Sequence, residues 1–484
     1  MLATMRAVVL AASLIVAACA ARSIPPALPT PPKPDTAAAE RLVLEGCYTC
    51  LQDAFQIFEA AADTSRQFST ALLLAMREKE LGLEALPWLD RARALATADT
   101  AFYVDAVASL PWVAVSFAPD FDPPFPRPTA DVRQGWTTRL SDEAATSTLD
   151  RYLRIALTCE GPASDAILQY RLGICGITHR DQLDAVFSSS PRFVEAGLYL
   201  ARYETTNSRA GRVQVTRALP LLTTAHEGIP ASPVITVALA DLWGARSEYA
   251  RALALHDEAL ARRPTQRDAL LGRTAMLTYL GRAEDAIASA TRMIELGTWY
   301  LGEAYYWRAW NYYNSGRIVL AASDIVAAKT FQTGSPLMTL SGMIAYDQQR
   351  RMDARNDFRA ALRLNPVNCP AIWYLGVLDL DEQQWPSARE RFSASTSCYN
   401  AAVAGIRAEE LPPDLSDEAR AQQEQDRARR LADNLRQEAR SALNAALLSQ
   451  QLEDREAALR FAQVAAGHEL TKERADTVLR DLRR

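Results

Sequence analysis

Four histidines and seven cysteines set the limits of the chemistry open to this 484-residue chain. His179, His226, His256 and His468 are scattered, and none has a second ligand or base at useful spacing. No HExxH helix, phosphate-cradling glycine loop or nucleophile elbow occurs. The sequence therefore offers no catalytic set, no metal centre and no cofactor site, and it reads as non-enzymatic. The cysteines say more. Cys47 and Cys50 form a CxxC, which either closes a small structural ring or lowers a thiol pKa for redox work. The strand expected before a redox CxxC is missing, which favours the staple.

Compartment decides how the other cysteines are read. The chain starts with Met1 to Arg6, continues as an apolar run from Ala7 to Ala18, and reaches Cys19. Residues 1–18 read as a secretory signal, too short to span a bilayer comfortably. Val16-Ala17-Ala18-Cys19 resembles the bacterial lipobox, in which lipid joins the cysteine sulfur and cleavage makes that cysteine the new amino terminus. Ala20 stands where many inner-membrane lipoproteins carry Asp, so the resemblance implies a bacterial envelope protein on the outer membrane, facing the periplasm. Lipid would be its sole membrane attachment, at about 0.8 kcal/mol per buried methylene. Residues 19–38 include the proline-rich stretch Ser23–Pro34, which favours extended conformation and reads as a tether. An oxidising compartment and six remaining cysteines make disulfides the expectation.

The balance of 53 Lys plus Arg against 58 Asp plus Glu gives minus 5. That is no field for phosphates, so nucleic acid is excluded as a partner. Nearly half of the chain is apolar, at 49%, enough for a large or repeated core.

What organises that core is a repeat. A small residue is followed four residues later by a bulky one and seven later by another small one, as paired helices require. The anchoring positions are Ala252, Ala286, Ala321, Ala354 and Ala388, at spacings of 34, 35, 33 and 34. Leu239, Tyr249, Ala259, Pro264, Gly281, Tyr312, Gly316, Ala328, Gly342, Phe358, Ala361, Pro366, Leu375, Gly376 and Phe392 recur in register. These residues and this period resemble the tetratricopeptide repeat family. The resemblance implies an all-α fold, a right-handed α-solenoid of stacked antiparallel helix pairs in which no pair buries its apolar face alone.

Weaker units extend the likeness to about two thirds of the chain, with about eight or nine units. Gly46-Cys-Tyr48 reads as a turn between helices, Leu81-Gly82 precedes Ala85, Leu89 and Ala92, and Ala457, Phe461 and Val464 repeat the second-helix pattern. This gives tetratricopeptide-like helices over 39–112, an array over 191–402, and a long charged helix with a cap over 403–484. Residues 113–190 fit poorly. They hold a loop in which Phe117, Phe121 and Phe125 alternate with prolines, read as packed onto the solenoid, and helices from Asp142 to Thr158 and Ala163 to Ile174. If the latter is one helix, Cys159 and Cys175 are about 18 Å apart, so that pair is broken, free or differently bonded. Cys369 begins the first helix of the fifth unit and Cys398 lies just past the second, which predicts a bridge between ends at one level.

After Glu409-Glu410-Leu-Pro-Pro-Asp414, with Asp414 or Ser416 as cap, a helix runs to about Gln450. Ala428, Leu431, Leu435, Ala439, Ala442 and Ala446 share one face. It either closes the solenoid or, less simply, pairs with a partner as a coiled coil.

In the family the first helices line a concave groove. The resemblance puts Glu303, Tyr306, Trp310, Tyr313 and Asn314 into it from the third unit, with Tyr279, Tyr346 and Trp373 from its neighbours. These aromatics either form a recognition stripe or pack against each other. Lys and Asn positions with which some members clamp a terminal carboxylate are not matched, which argues against chaperone-tail recognition. His256 fills the bulky slot after Ala252 and reads as core. The sequence thus points to a protein or extended peptide in the groove of an envelope scaffold or adaptor. The rival is a glycan- or small-molecule-binding subunit of an uptake or wall-remodelling system.

Overall fold

A computed structural model describes residues 34–109, 130–140, 147–158, 166–175, 180–206, 212–297, 300–411, 413, 415 and 417–483. The signal, Cys19, most of the tether, Asp414, Ser416 and the three loop phenylalanines lie outside the described residues. Among the described residues there are twenty-four helices and no strand, and successive helices pack on each other as antiparallel pairs in a solenoid.

The amino-terminal part contains α1 (Thr36–Glu45), α2 (Tyr48–Ala60), α3 (Thr64–Leu81), α4 (Leu86–Leu95) and α5 (Ala101–Ser109). Gly46 and Gly82 end α1 and α3 with φ of 71° each, a left-handed geometry that glycine adopts at no steric cost. Cys47 caps α2, and the Cys47–Cys50 disulfide staples its first turn, fully buried. A buried thiol pair offers no surface for redox exchange, so the structure carries the staple.

The middle section is α6 (Ala130–Arg139), α7 (Thr148–Thr158), α8 (Ala166–Cys175) and α9 (Arg180–Ser189). The expected starts of α7 and α8, Asp142 and Ala163, lie outside the described residues. Cys175 is disulfide-bonded, while Cys159 lies outside the described residues. Next come α10 (Ala196–Thr206) and α11 (Arg212–Gly228).

Five regular pairs follow: α12 (Pro233–Ala245) with α13 (Tyr249–Arg262), α14 (Arg267–Tyr279) with α15 (Ala283–Leu296), α16 (Leu301–Asn314) with α17 (Ile318–Phe331), α18 (Ser335–Asp347) with α19 (Arg351–Leu364), and α20 (Cys369–Asp381) with α21 (Trp385–Arg407). All five anchoring alanines are fully buried. The turn inside each pair has one residue at positive φ, namely Ser247, Gly281, Gly316, Gln349 and Gln383, at the same spacing as those alanines. Helix approach explains the glycines on the first helices. A Cβ on Gly342 would sit 2.6 Å from Phe358, and one on Gly376 3.1 Å from Phe392, so each ring lies against bare backbone.

The fifth pair departs from expectation. Helix α21 runs 23 residues, so Cys398 sits inside it, not past its end. The predicted Cys369–Cys398 bridge is present all the same, with Cα atoms 5.6 Å apart, because Cys398 lies level with the start of α20. The chain finishes with α22 (Asp417–Gln451), α23 (Arg455–Ala466) and α24 (Glu469–Arg483). The single apolar face read for α22 is only partly right: Ala428 is exposed, Leu431 and Leu435 are half-buried, and from Ala439 onward most positions are buried. In α23 the small slots flanking Phe461 are Ala458 and Ala465, while Val464 is exposed. That is one residue later than the pattern suggested.

The two parts of the solenoid meet at a polar joint. The last turn of α3 reads Arg77-Glu78-Lys79-Glu80, and all four are buried. Glu80 takes Arg77 at 2.5 Å through Oε2, and its Oε1 is ion-paired with Arg171 of α8. Arg77 also donates to the Gly46 carbonyl at 2.8 Å and lies 3.5 Å from Glu195, which accepts from the Tyr48 amide at 2.8 Å. Its guanidinium covers the Tyr170 ring at 4.2 Å. Glu78 accepts from Tyr48 Oη and Trp88 Nε1, both at 2.9 Å, and burial pushes it up to about 7. Burial lowers Lys79 to about 7, its ammonium donating to the Val107 and Ala108 carbonyls. Ser232, the cap of α12, donates to the Leu81 carbonyl at 2.6 Å and ties this joint to the array.

Candidate functional site: an aromatic line along the first helices

The regular pairs put the first helices α14, α16, α18 and α20 side by side, and their exposed flank carries rings. Tyr279 stacks on Tyr249 at 4.8 Å and meets Trp307 edge-on at 5.7 Å. Trp307 contacts Tyr306 at 5.4 Å, and Tyr306 lies 6.5 Å from Trp310. Further on, the Tyr313 hydroxyl donates to Asp347 at 2.9 Å. Tyr374 is edge-on to Tyr346 at 5.5 Å and to Trp373 at 4.9 Å, and stacks on Phe358 at 4.9 Å.

Exposure distinguishes this line from core. Tyr279 is 45% exposed, and Tyr306, Trp310, Tyr313, Tyr346 and Trp373 are half-buried. The rings touch one another and still keep part of their surface outward: they pack, and they also present a surface. Burial, followed by the charge of Tyr279, pushes Tyr306 up to about 12. Burial and then Tyr374 and Asp347 raise Tyr313 further. Tyr306 and Tyr313 therefore stay neutral in physiological water and present uncharged aromatic faces and hydroxyl donors.

Glu303 is half-buried on α16 and Asn314 is exposed at its end; neither takes part in the ring contacts. Sequence reasoning missed Tyr249, Trp307 and Tyr374. Trp307 and Tyr374 each follow a named groove residue directly, and a helix places neighbouring positions about 100° apart, so large rings from both can reach one flank. That signal was available. Arg440 of α22, whose guanidinium lies 5.0 Å over Trp373, had none, because nothing local in α22 announces that contact.

His256 is fully buried, and its imidazole lies where a Cβ on Gly272 would meet it at 2.1 Å. Asp241 Oδ1 is 3.6 Å from Nε2, outside hydrogen-bond range, and burial lowers the imidazole to about 4. The ring is a neutral packing residue. The unfolded chain binds this proton near 6.5 and the folded chain near 4, so stability falls as pH drops through that window, by about 2 kcal/mol at pH 5. His256→Phe supplies the ring type of Phe358 and Phe392. Urea unfolding at pH 7 and pH 5 should show the variant gaining that amount relative to the parent; parallel losses would contradict the assignment.

Among the described residues no cluster of three His, Cys, Asp or Glu is placed to hold a metal, and no helix is long and apolar enough to cross a membrane. No family model matches the chain, and no curated protein does. Solved structures give partial likenesses. YrrB, described as a TPR protein with an unusual peptide-binding site, is 18% identical over 37% of this chain and 91% of its own, at TM-score 0.31. The C-terminal part of a TPR repeat-containing protein from Cytophaga hutchinsonii is 13% identical over 59% and 99%, at 0.39. Pseudomonas aeruginosa pilF is 17% identical over 62% and 98%, at 0.30. The TPR-like character of the fold rests on the helix pairs and turns of this chain.

Proposed function

We propose that the protein is a non-enzymatic scaffold or adaptor of the bacterial envelope, binding a protein or extended peptide along the aromatic line. One observation carries this reading. Rings on four successive first helices form two partly exposed clusters, Tyr249 to Trp310 and Tyr346 to Trp373, linked across α16 and α18 by the Tyr313–Asp347 hydrogen bond, and such rings give large contact area at low entropic cost. Affinity capture from detergent-solubilised envelope tests it, comparing the parent with Tyr306→Ala/Trp310→Ala by mass spectrometry. A protein retained by the parent alone supports the reading; equal retention moves the weight to a glycan-binding or architectural role.

The envelope part of the proposal rests on Val16-Ala17-Ala18-Cys19 and the proline-rich stretch behind it. Cys19→Ser should lose palmitate label and shift the protein from membrane to soluble fractions, since lipid would be its only hold on the bilayer. A labelled, membrane-bound variant would refute it.

A further inference from the structure

Helix α22 has two halves of different character. Its second half belongs to the core: Ala439, Ala442, Leu443, Ala445, Ala446 and Leu448 are buried, and Ser441 pairs with Ser395 of α21 at 2.9 Å. Its first half has no such core. Ala428 is exposed, and Leu431 and Leu435 are half-buried.

Polar contacts hold that first half instead. Arg427 donates to the carbonyls of Ile406 and Arg407 at 3.1 and 2.7 Å, and Arg430 forks onto Glu409 at 3.0 and 2.6 Å. Gln423, itself buried, donates its side-chain amide to the backbone carbonyl of Arg246, 177 residues earlier, at the turn that leads into Tyr249. At the other end Arg440 covers Trp373. The seventeen helical steps from Gln423 to Arg440 span about 26 Å. The first half therefore reaches from the fifth pair, where Arg440 of the fixed half covers Trp373, back to the turn of the first regular pair.

We infer that the first half of α22 is a strap that closes the aromatic line and must let go before a partner can lie along it. The inference rests on the groove reading above and adds its regulation. Binding and strap release are then one coupled equilibrium, and a partner's apparent affinity is reduced by the fraction of chains whose strap is shut. The fastenings suit a device that opens: they are a few hydrogen bonds and ion pairs at separable points, whereas the second half is fixed by interdigitated apolar packing.

The test needs no partner. Hydrogen–deuterium exchange on the full chain compares the parent with Gln423→Ala/Arg430→Ala. Exchange should rise at least tenfold across 420–432 and around the turn at 244–249, with 439–451 and α23 unchanged. Unaltered exchange across 420–432 would show that these contacts hold nothing. Acceleration spreading through 439–451 and α23 would show that α22 is one indivisible piece of core; either result overturns the strap. Loss of the groove reading would appear separately, as equal capture by the parent and the Tyr306/Trp310 variant.

Discussion

Replacing Glu80 with alanine should cost the amino-terminal joint about 3–5 kcal/mol, the penalty for stranding a buried charge. Glu80 is the carboxylate shared by Arg77 and Arg171. Arg77 would keep Glu195 and the Gly46 carbonyl. Arg171 would keep much less: it is buried, burial and the charge of Arg77 already lower it to about 9, and its Nε and Nη2 have no hydrogen-bond partner among the described residues. Glu80→Gln should lose less than alanine, because a carboxamide oxygen still accepts from one guanidinium. A solenoid is held together by neighbour contacts and does not unfold in one step. The loss should therefore appear as an earlier first transition in urea and faster amide exchange in α3 and α8, with the array helices unchanged. A single uniform shift of the whole curve would contradict this local assignment.

Truncating Tyr306 and Trp310 together should weaken partner binding at least 100-fold, since aromatic anchors at the centre of an interface commonly contribute 2 kcal/mol or more each and about 1.4 kcal/mol is tenfold. Both rings sit on α16, the middle of the five first helices, and touch each other. The controls are circular dichroism and Tyr306→Phe. Helicity should be unchanged, because the buried residues of α16 are Gly302, Ala304, Ala309 and Asn311. The phenylalanine variant should bind nearly normally if the ring face matters, and poorly if the hydroxyl does.

The regular array was legible because one physical constraint repeats. Where two helices must approach closely, Ala252, Ala286, Ala321, Ala354 and Ala388 are small; where the gap must be filled, Phe358 and Phe392 are large; their 34-residue rhythm is visible to the eye. The turns were half legible. Gly281 and Gly316 mark a left-handed residue openly, but Ser247, Gln349 and Gln383 occupy the same conformation without the composition that advertises it. The slip in α23 has a similar origin, since Ala457, Ala458, Val464 and Ala465 leave two registers open. The joint around Glu80 was invisible. A run of Arg-Glu-Lys-Glu reads as a solvated surface, and only contacts from α8 and the start of α10, about 90 to 120 residues away, reveal it as interior. The candidate groove shows the same division: positions fixed by the repeat could be named, whereas Arg440 and Gln423 come from a helix outside the period.

The Cys369–Cys398 bridge has a mechanical consequence. A tethered solenoid pulled from its free end peels one pair after another, since each pair is held only by its neighbours. The bridge joins the beginning of α20 to a point well inside α21, so tension arriving through α22 cannot strip α21 from α20 past that point while the bond is intact. Load entering at Cys398 crosses the bond to Cys369, so the residues enclosed between them, Trp373 and Tyr374 of the aromatic line included, stay folded and are shielded from whatever hauls on the far end.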